Sequence, residues 1–101
     1  MSYLKIWIHA VWSTKNWNKF LVPQIRPVLF KHIKDVALEK DIFIDFINGY
    51  YNHAHAFISL GKNQTMADIM QSIKGESSHW INKNKLTSRH FMWQDDYWAA
   101  S

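Results

Sequence analysis

Two stretches of this chain alternate apolar residues with other residues at a period of two, and this pattern constrains the fold most. Residues 3–12 read YLKIWIHAVW, and residues 53–60 read HAHAFISL. A period of two among β-forming residues is typical of a strand that buries one face and leaves the other open. The chain is therefore expected to contain a sheet with one solvent-facing side.

The patterns between and after these strands complete the order β-α-β-β-α-β. Residues 23–40 repeat apolar side chains at helical spacing, with Pro23 expected at the first helical position and Pro27 in the first turn. Residues 41–48 are predicted to form a strand that a tight link joins to the 53–60 strand. A Thr65/Asp68 capping pair begins a second helix, and residues 91–99 are predicted to form the last strand. This order predicts an α+β, ferredoxin-like or RRM-like fold, with one antiparallel sheet and helices on one face.

The length of the chain indicates one domain, over residues 1–101. The composition indicates the cellular compartment. There are no cysteines, and the apolar runs fall short of the roughly 20 residues that span a bilayer. With no apolar leader visible, the chain is expected to be cytoplasmic and free of membranes. A net charge of +4 with 16% aromatic residues favours a polyanionic partner whose bases can stack.

His53 and His55 lie two apart on one predicted strand, so their side chains point the same way, about 6.6 Å apart along it. Two such imidazoles can converge on one cation. Lys5, Trp7 and His9 of the first strand are expected to share that face. The alternative is an ordinary exposed pair of histidines. A histidine-triad hydrolase is excluded because position 57 is phenylalanine, and a two-histidine phosphoesterase because no second H-x-S/T strand is visible.

Four segments in order resemble one family: HAVWSTKN, NHAHAFISL, SIKGESSHWIN and FMWQDDYWAAS. They resemble the single-tyrosine HUH transposases of the insertion-sequence 200/605 type and their repeat-associated relatives. The resemblance implies metal-dependent cleavage and strand transfer of single-stranded DNA that carries hairpins, performed by a homodimer. It also implies that His53 and His55 bind Mg²⁺ or Mn²⁺ while a tyrosine hydroxyl forms a 5′-phosphotyrosine link.

The tyrosine nucleophile is where this chain departs from the family. In the family it lies on a helix beyond the last strand, with a metal-binding glutamine four residues later. Here Tyr97 is the catalytic candidate, but it belongs to the predicted last strand, and Ser101 stands four residues on. We therefore expect a domain without the nucleophile helix, a truncated or inactive copy that binds metal and DNA but cleaves poorly.

Basic and polar residues of the second helix, after the first strand and in the basic loop that follows the second helix are predicted to contact DNA, with ordinary solvated charge as the alternative. The candidates are Lys15, Lys74, Ser77, Ser78, Lys83, Lys85 and Arg89. Lysine and arginine there would neutralise phosphates and make binding depend on salt. Trp7 or Trp93 could stack a base, with core or dimer packing the other interpretation of Trp93. The alternative function is a non-catalytic module that binds single-stranded nucleic acid.

Overall fold

The computed structural model describes residues 6–101, which form a four-stranded antiparallel sheet and two helices. The elements in chain order are β1 (Ile6–Ser13), α1 (Arg26–Glu39), β2 (Phe43–Gly49), β3 (His53–Leu60), α2 (Met66–Lys83) and β4 (Trp98–Ala100). The strand order is β2-β3-β1-β4, so β3 and β1 are central, and every neighbouring pair is antiparallel. This confirms the predicted α+β, ferredoxin-like architecture. Within residues 6–101, no helix is both long and apolar enough to cross a bilayer.

The core lies between one face of the sheet and the two helices. Ala10 and Trp12 of β1 and Ala54, Ala56 and Ile58 of β3 are almost fully buried. They pack with apolar residues of both helices in one cluster. Burying a side chain the size of isoleucine stabilises the fold by about 1.5–3 kcal/mol. The alternation predicted for both central strands is confirmed, and it leaves their remaining side chains on the opposite, open face.

Helix α1 begins three residues later than predicted. It starts at Arg26, with Pro27 in its first turn, while Pro23 lies in the preceding turn. A helix beginning at Pro23 would have placed Pro27 in its interior, where the ring clashes with the carbonyl four residues earlier. The chain instead makes a turn in which the Arg26 amide donates to the carbonyl of Val22 at 3.2 Å.

Helix α2 follows the predicted pattern. Thr65 is its N-cap, and its side-chain oxygen accepts a hydrogen bond from the amide of Asp68 at 3.2 Å. Lys83 lies in the last turn, where its charge complements the helix dipole. The buried residues recur on one face of the helix: Ile69, Met70, Ile73, Ser77 and Ile81.

Both edge strands differ from their predicted bounds. β2 begins at Phe43 rather than at residue 41, because Asp41 has a φ of 60° and helps to close the end of α1. β4 is confined to Trp98–Ala100, although residues 91–99 were expected to form one strand. Earlier in that segment, Trp93 forms only an isolated bridge with Thr14. The predicted start of β1 at residues 3–5, including Lys5, lies outside the described residues.

Candidate metal and DNA-binding face

His53 and His55 lie on the open face of central strand β3. His53 is paired with Ser13 and His55 with Val11 of β1, and both imidazoles are half-buried. Their neighbour Ala54 is fully buried on the opposite side of the strand. The two histidines therefore share one face, which is the side-chain arrangement expected from the sequence.

The rings of His53 and His55 lie side by side on this face. Their centroids are 6.4 Å apart, with 27° between the ring planes. His53 Nδ1 lies 3.1 Å from the amide oxygen of Asn52, and because that oxygen can only accept, Nδ1 donates. In the neutral ring this arrangement leaves the lone pair on Nε2. A hydrogen bond at the other ring nitrogen is the usual way in which a metal-binding histidine is oriented.

Electrostatics on this face favour the neutral, metal-binding form of His55. Burial lowers the pKa of His55, and the nearby imidazoles of His9 and His53 lower it further. The His9 ring centroid is 5.7 Å from that of His55. A neutral imidazole has the lone pair that a cation needs.

The donor set on this face is small. Within residues 6–101, no group of three or more His, Cys, Asp or Glu side chains is placed to hold a metal ion. A cation on this face would have the imidazoles of His53 and His55 as its donors among these residues, and its remaining positions would be left for water or substrate oxygens.

Aromatic rings surround the histidine pair, and several of them were not singled out from the sequence. Phe46 lies 5.7 Å from the His55 ring, and Tyr50 lies 6.3 Å from the His53 ring. The guanidinium carbon of Arg26 is 5.5 Å from the centre of the Tyr50 ring and 5.1 Å from that of Tyr51. The sequence places Tyr50 in the hairpin just before the strand that carries the two histidines, and this position could have indicated that its ring lies near them.

The two tryptophans considered for base stacking have different surroundings. Trp7 lies on the open face and stacks on Phe57, with centroids 5.0 Å apart and 10° between the planes. Trp93 is only 5% exposed and packs edge-on against Trp12 at 5.9 Å. Trp93 is thus a core residue and is not available to a base.

Tyr97 lies on the wrong side of the sheet to act on a substrate at the histidine pair of its own chain. Its neighbour Trp98 pairs with Val11 and lies 6.2 Å from the His9 ring, on the open face. Tyr97 points the other way and lines a cleft of about 650 Å³ between α2 and residues 90–97. Tyr97 directly precedes β4 and faces α2 rather than the histidine pair of its own chain, and its catalytic role stays a prediction.

The predicted DNA contacts of α2 are mostly engaged inside the protein. Ser77 is fully buried, donates to the carbonyl of Ile73 at 2.6 Å and accepts from the indole of Trp93 at 2.9 Å. It is a structural residue and cannot reach a phosphate, which corrects that prediction. Lys74 Nζ donates to the carbonyls of Asp95 at 2.8 Å and Asp96 at 3.2 Å. Burial lowers the pKa of Lys74, and the negatively charged side chains of Asp95 and Asp96 oppose that shift.

Lys15 and Arg89 remain available to a phosphate. Lys15 is half-buried directly after β1, and its amide donates to the carbonyl of Met92. Arg89 is exposed, with its guanidinium carbon 5.1 Å from the centre of the Phe20 ring. Ser78, Lys83 and Lys85 lie on or just after α2, and the two lysines are exposed.

Comparisons with known proteins agree on one family. The chain matches the family model described as IS200-like transposase over residues 2–101. Among curated proteins, ISDra2 transposase TnpA of Deinococcus radiodurans is 20% identical over 93 residues. That match covers 92% of this chain and 66% of the relative, so this chain spans just under two thirds of the relative's length.

Two solved structures share the fold. A crystal structure of a candidate transposase from Deinococcus radiodurans R1 superposes with a TM-score of 0.86 at 16% identity, covering 97% of this chain and 79% of that one. A REP-associated tyrosine transposase bound to a REP hairpin gives a TM-score of 0.64 at 18% identity, covering 99% and 58%. The likeness extends over nearly all of this chain.

Proposed function

Since the chain belongs to the IS200-like transposase family, we propose that it binds single-stranded DNA and positions a phosphodiester at His53 and His55 for metal-dependent strand cleavage and transfer. The observation that carries this proposal is the pair of half-buried imidazoles on the open face of β3. Asn52 hydrogen-bonds one of them, and burial lowers the pKa of the other. These are the properties of a site prepared for a cation.

The proposed cofactor is Mg²⁺ or Mn²⁺, held by the Nε2 lone pair of His53 and an imidazole nitrogen of His55. When bound, such an ion stabilises negative charge on phosphate oxygens and orients the leaving oxygen. Among residues 6–101, His53 and His55 would be the donors to such an ion, and its remaining positions would be left to water or a phosphate oxygen. The hydrogen bond from Asn52 would hold the His53 ring in position for this role.

The transfer step itself requires a tyrosine hydroxyl on the histidine face. Its oxygen would attack phosphorus as the P–O3′ bond breaks, leaving a 5′-phosphotyrosine and a 3′-hydroxyl that takes up the proton. Tyr97 faces the α2 side, whereas the Tyr50 ring lies beside His53. In the family that the sequence resembles, the nucleophile lies on a helix after the last strand, and residues 6–101 contain no helix after β4. We therefore propose that residues 6–101 supply the DNA and metal-binding part of the activity and cleave poorly alone.

Hairpin-bearing DNA and a second copy of the chain are the proposed partners. One solved relative is bound to a REP hairpin, which supports a DNA hairpin as the substrate form. Lys15 and Arg89 are placed to neutralise phosphates, so affinity should fall as salt rises. Trp98, at 58% exposure on an edge strand, supports a homodimer because such apolar surface favours association.

Metal and DNA binding can be tested together. Calorimetric titration of the wild-type protein with Mn²⁺ should show binding, and His53→Ala or His55→Ala should abolish it. His79→Ala, which removes an exposed histidine of α2, is the matched control and should bind Mn²⁺ normally. DNA affinity, measured by fluorescence anisotropy with a labelled hairpin oligonucleotide, should rise with Mn²⁺ in the wild type and in His79→Ala, but not in His53→Ala or His55→Ala. Binding that ignores Mn²⁺ and both histidine substitutions would indicate the alternative, a non-catalytic nucleic-acid-binding module.

Covalent chemistry needs a separate assay. Wild-type protein, Tyr97→Phe and Tyr50→Phe are incubated with Mn²⁺ and 5′-labelled or 3′-labelled single-stranded DNA, and adducts are resolved on a denaturing gel. We expect little adduct from any of them. An adduct that disappears in Tyr97→Phe alone would contradict the assignment of Tyr97 to the other face of the sheet.

A further inference from the structure

The turn after β1 contains two consecutive residues in the left-handed backbone region. Asn16 has a φ of 56° and Trp17 a φ of 58°. Asparagine tolerates this region, but for a bulky residue such as tryptophan it is an outlier that carries a free-energy cost. Residues in such conformations persist only where the surrounding structure fixes them, and they concentrate at functional sites.

Hydrogen bonds from two neighbouring segments hold this turn. The amide of Thr14, a fully buried residue, donates to the carbonyl of Asn52 at 2.9 Å. On the other side the Asn16 amide donates to the side-chain oxygen of Gln94 at 3.1 Å. The Trp17 amide closes the turn by donating to the Thr14 carbonyl at 3.0 Å. The strained backbone is therefore fixed from outside the turn.

The indole of Trp17 gains little from this arrangement within its own chain. It is 62% exposed, and among residues 6–101 it forms no ring–ring pair. The strain therefore holds an aromatic ring outward in a set direction and is not compensated by burying that ring. A replaceable surface residue would not need this conformation, so the ring is expected to contact a ligand.

The turn that carries Trp17 is connected to the histidine pair through hydrogen bonds of Asn52. The turn is bonded to Asn52, and Asn52 in turn hydrogen-bonds the ring of His53. The residues flanking Trp17 are cationic or amide-bearing, with Lys15 and Lys19 two positions away on either side. The first 34 residues of the chain contain no aspartate or glutamate. An isolated aromatic ring between two lysines suits an unpaired base on a phosphate backbone better than an apolar protein surface.

We propose that Trp17 is a stacking platform for an unpaired base of single-stranded DNA, adjacent to the nucleotide whose phosphate lies at His53 and His55. This rests on the proposed function, because it needs the DNA strand to reach the histidine end of the sheet. The left-handed turn sets the direction of the indole before DNA arrives, so little side-chain freedom is lost on binding. Stacking on a ring tolerates any base, so Trp17 contributes affinity and position rather than sequence preference.

The test uses an unstructured, fluorescein-labelled single-stranded oligonucleotide and fluorescence anisotropy at low salt. Trp17→Gly keeps the left-handed turn and removes the ring, so its affinity should be about 5- to 150-fold weaker. Its thermal unfolding midpoint should be unchanged or higher, because glycine adopts this region without penalty. Trp17→Phe should recover part of the affinity. Asn16→Gly is the matched control: it relaxes the neighbouring residue, keeps the indole and should bind DNA as the wild type does.

Each outcome separates this inference from the proposed function. Wild-type binding that Trp17→Gly leaves within about twofold would overturn the stacking role and leave the proposed function standing. Wild-type protein that binds neither this oligonucleotide nor a hairpin at low salt would overturn both. Sedimentation velocity adds a third arm: a dimer that dissociates in Trp17→Gly would identify the ring as a protein contact and refute the assignment to DNA.

Discussion

Replacing Gly75 by alanine should stabilise this protein, although glycine stands in the middle of its longest helix. Gly75 is exposed in α2, and a Cβ built at this position meets no atom within 4 Å. Alanine is favoured over glycine in a helix interior by about 1 kcal/mol, because glycine loses more backbone freedom on folding. Because the added methyl group meets no clash, the whole difference in helix propensity between alanine and glycine should appear as a higher free energy of unfolding.

The contrasting substitution is Gly49→Ala. A Cβ at Gly49 would overlap the carbonyl oxygen of His53 and lie 2.9 Å from Phe30 Cζ and 3.1 Å from Ala54 Cα. Two of these neighbours are backbone atoms of β3, so they cannot move aside without disturbing the histidine strand. Such overpacking usually costs about 1–3 kcal/mol. The same chemical change should therefore have opposite signs at the two glycines.

Urea denaturation followed by tryptophan fluorescence measures both effects. For a domain of this size, about 1 kcal/mol corresponds to a thermal midpoint shift of roughly 4–8 °C. Gly75→Ala should raise the urea and thermal midpoints, and Gly49→Ala should lower them, with unchanged slopes in urea. A lower midpoint for Gly75→Ala would refute the reasoning, because it would mean that the space beside this glycine is occupied in the folded protein.

Three further substitutions test the interior of the molecule. Ser77→Ala removes the acceptor of the buried Trp93 indole and should lower the free energy of unfolding by about 1–3 kcal/mol, measured in urea, without weakening DNA binding by the folded protein. Thr65→Ala removes the N-cap of α2 and should cost about 1 kcal/mol, while Thr65→Ser should recover most of it in the same assay. His32→Ala removes the imidazole that lies 2.9 Å and 3.0 Å from the carboxylate oxygens of Glu76 and should lower the thermal midpoint; His32→Gln, which keeps a donor, should lose less.

The elements that the sequence predicts well are those whose signal is local and repeated. β3 has its predicted bounds because its alternation is uninterrupted and Gly49 precedes it. α2 begins after Thr65 because the capping hydrogen bond uses residues three apart in sequence. The predicted start of α1 is three residues too early, because either proline alone suits the first turn of a helix. Only the spacing of four between Pro23 and Pro27 shows that Pro23 must lie outside the helix.

The features of the site that were missed depend on contacts between distant residues. Tyr50 and Arg26 are 24 positions apart in sequence, and only the packing of the hairpin against the start of α1 brings them together. The pKa of His55 is lowered in part by His9, from another strand. The left-handed turn at Trp17 is fixed by residues of two other segments, and within the turn only Asn16 is a residue type that favours this conformation.

The direction in which Tyr97 points could have been predicted by applying the two-residue period of a strand to residues 91–97. Phe91 and Trp93 are buried against α2, and in a continuous strand every second residue after them, including Tyr97, faces the same way. The interruption before β4 preserves this outcome, because Trp98 still pairs with Val11 on the open face. Since a shift of one residue exchanges the two faces, a hydroxyl at position 98 could face the histidines, whereas one at position 97 cannot. A tyrosine that serves His53 and His55 must therefore come from another part of the surface than β4 of the same chain.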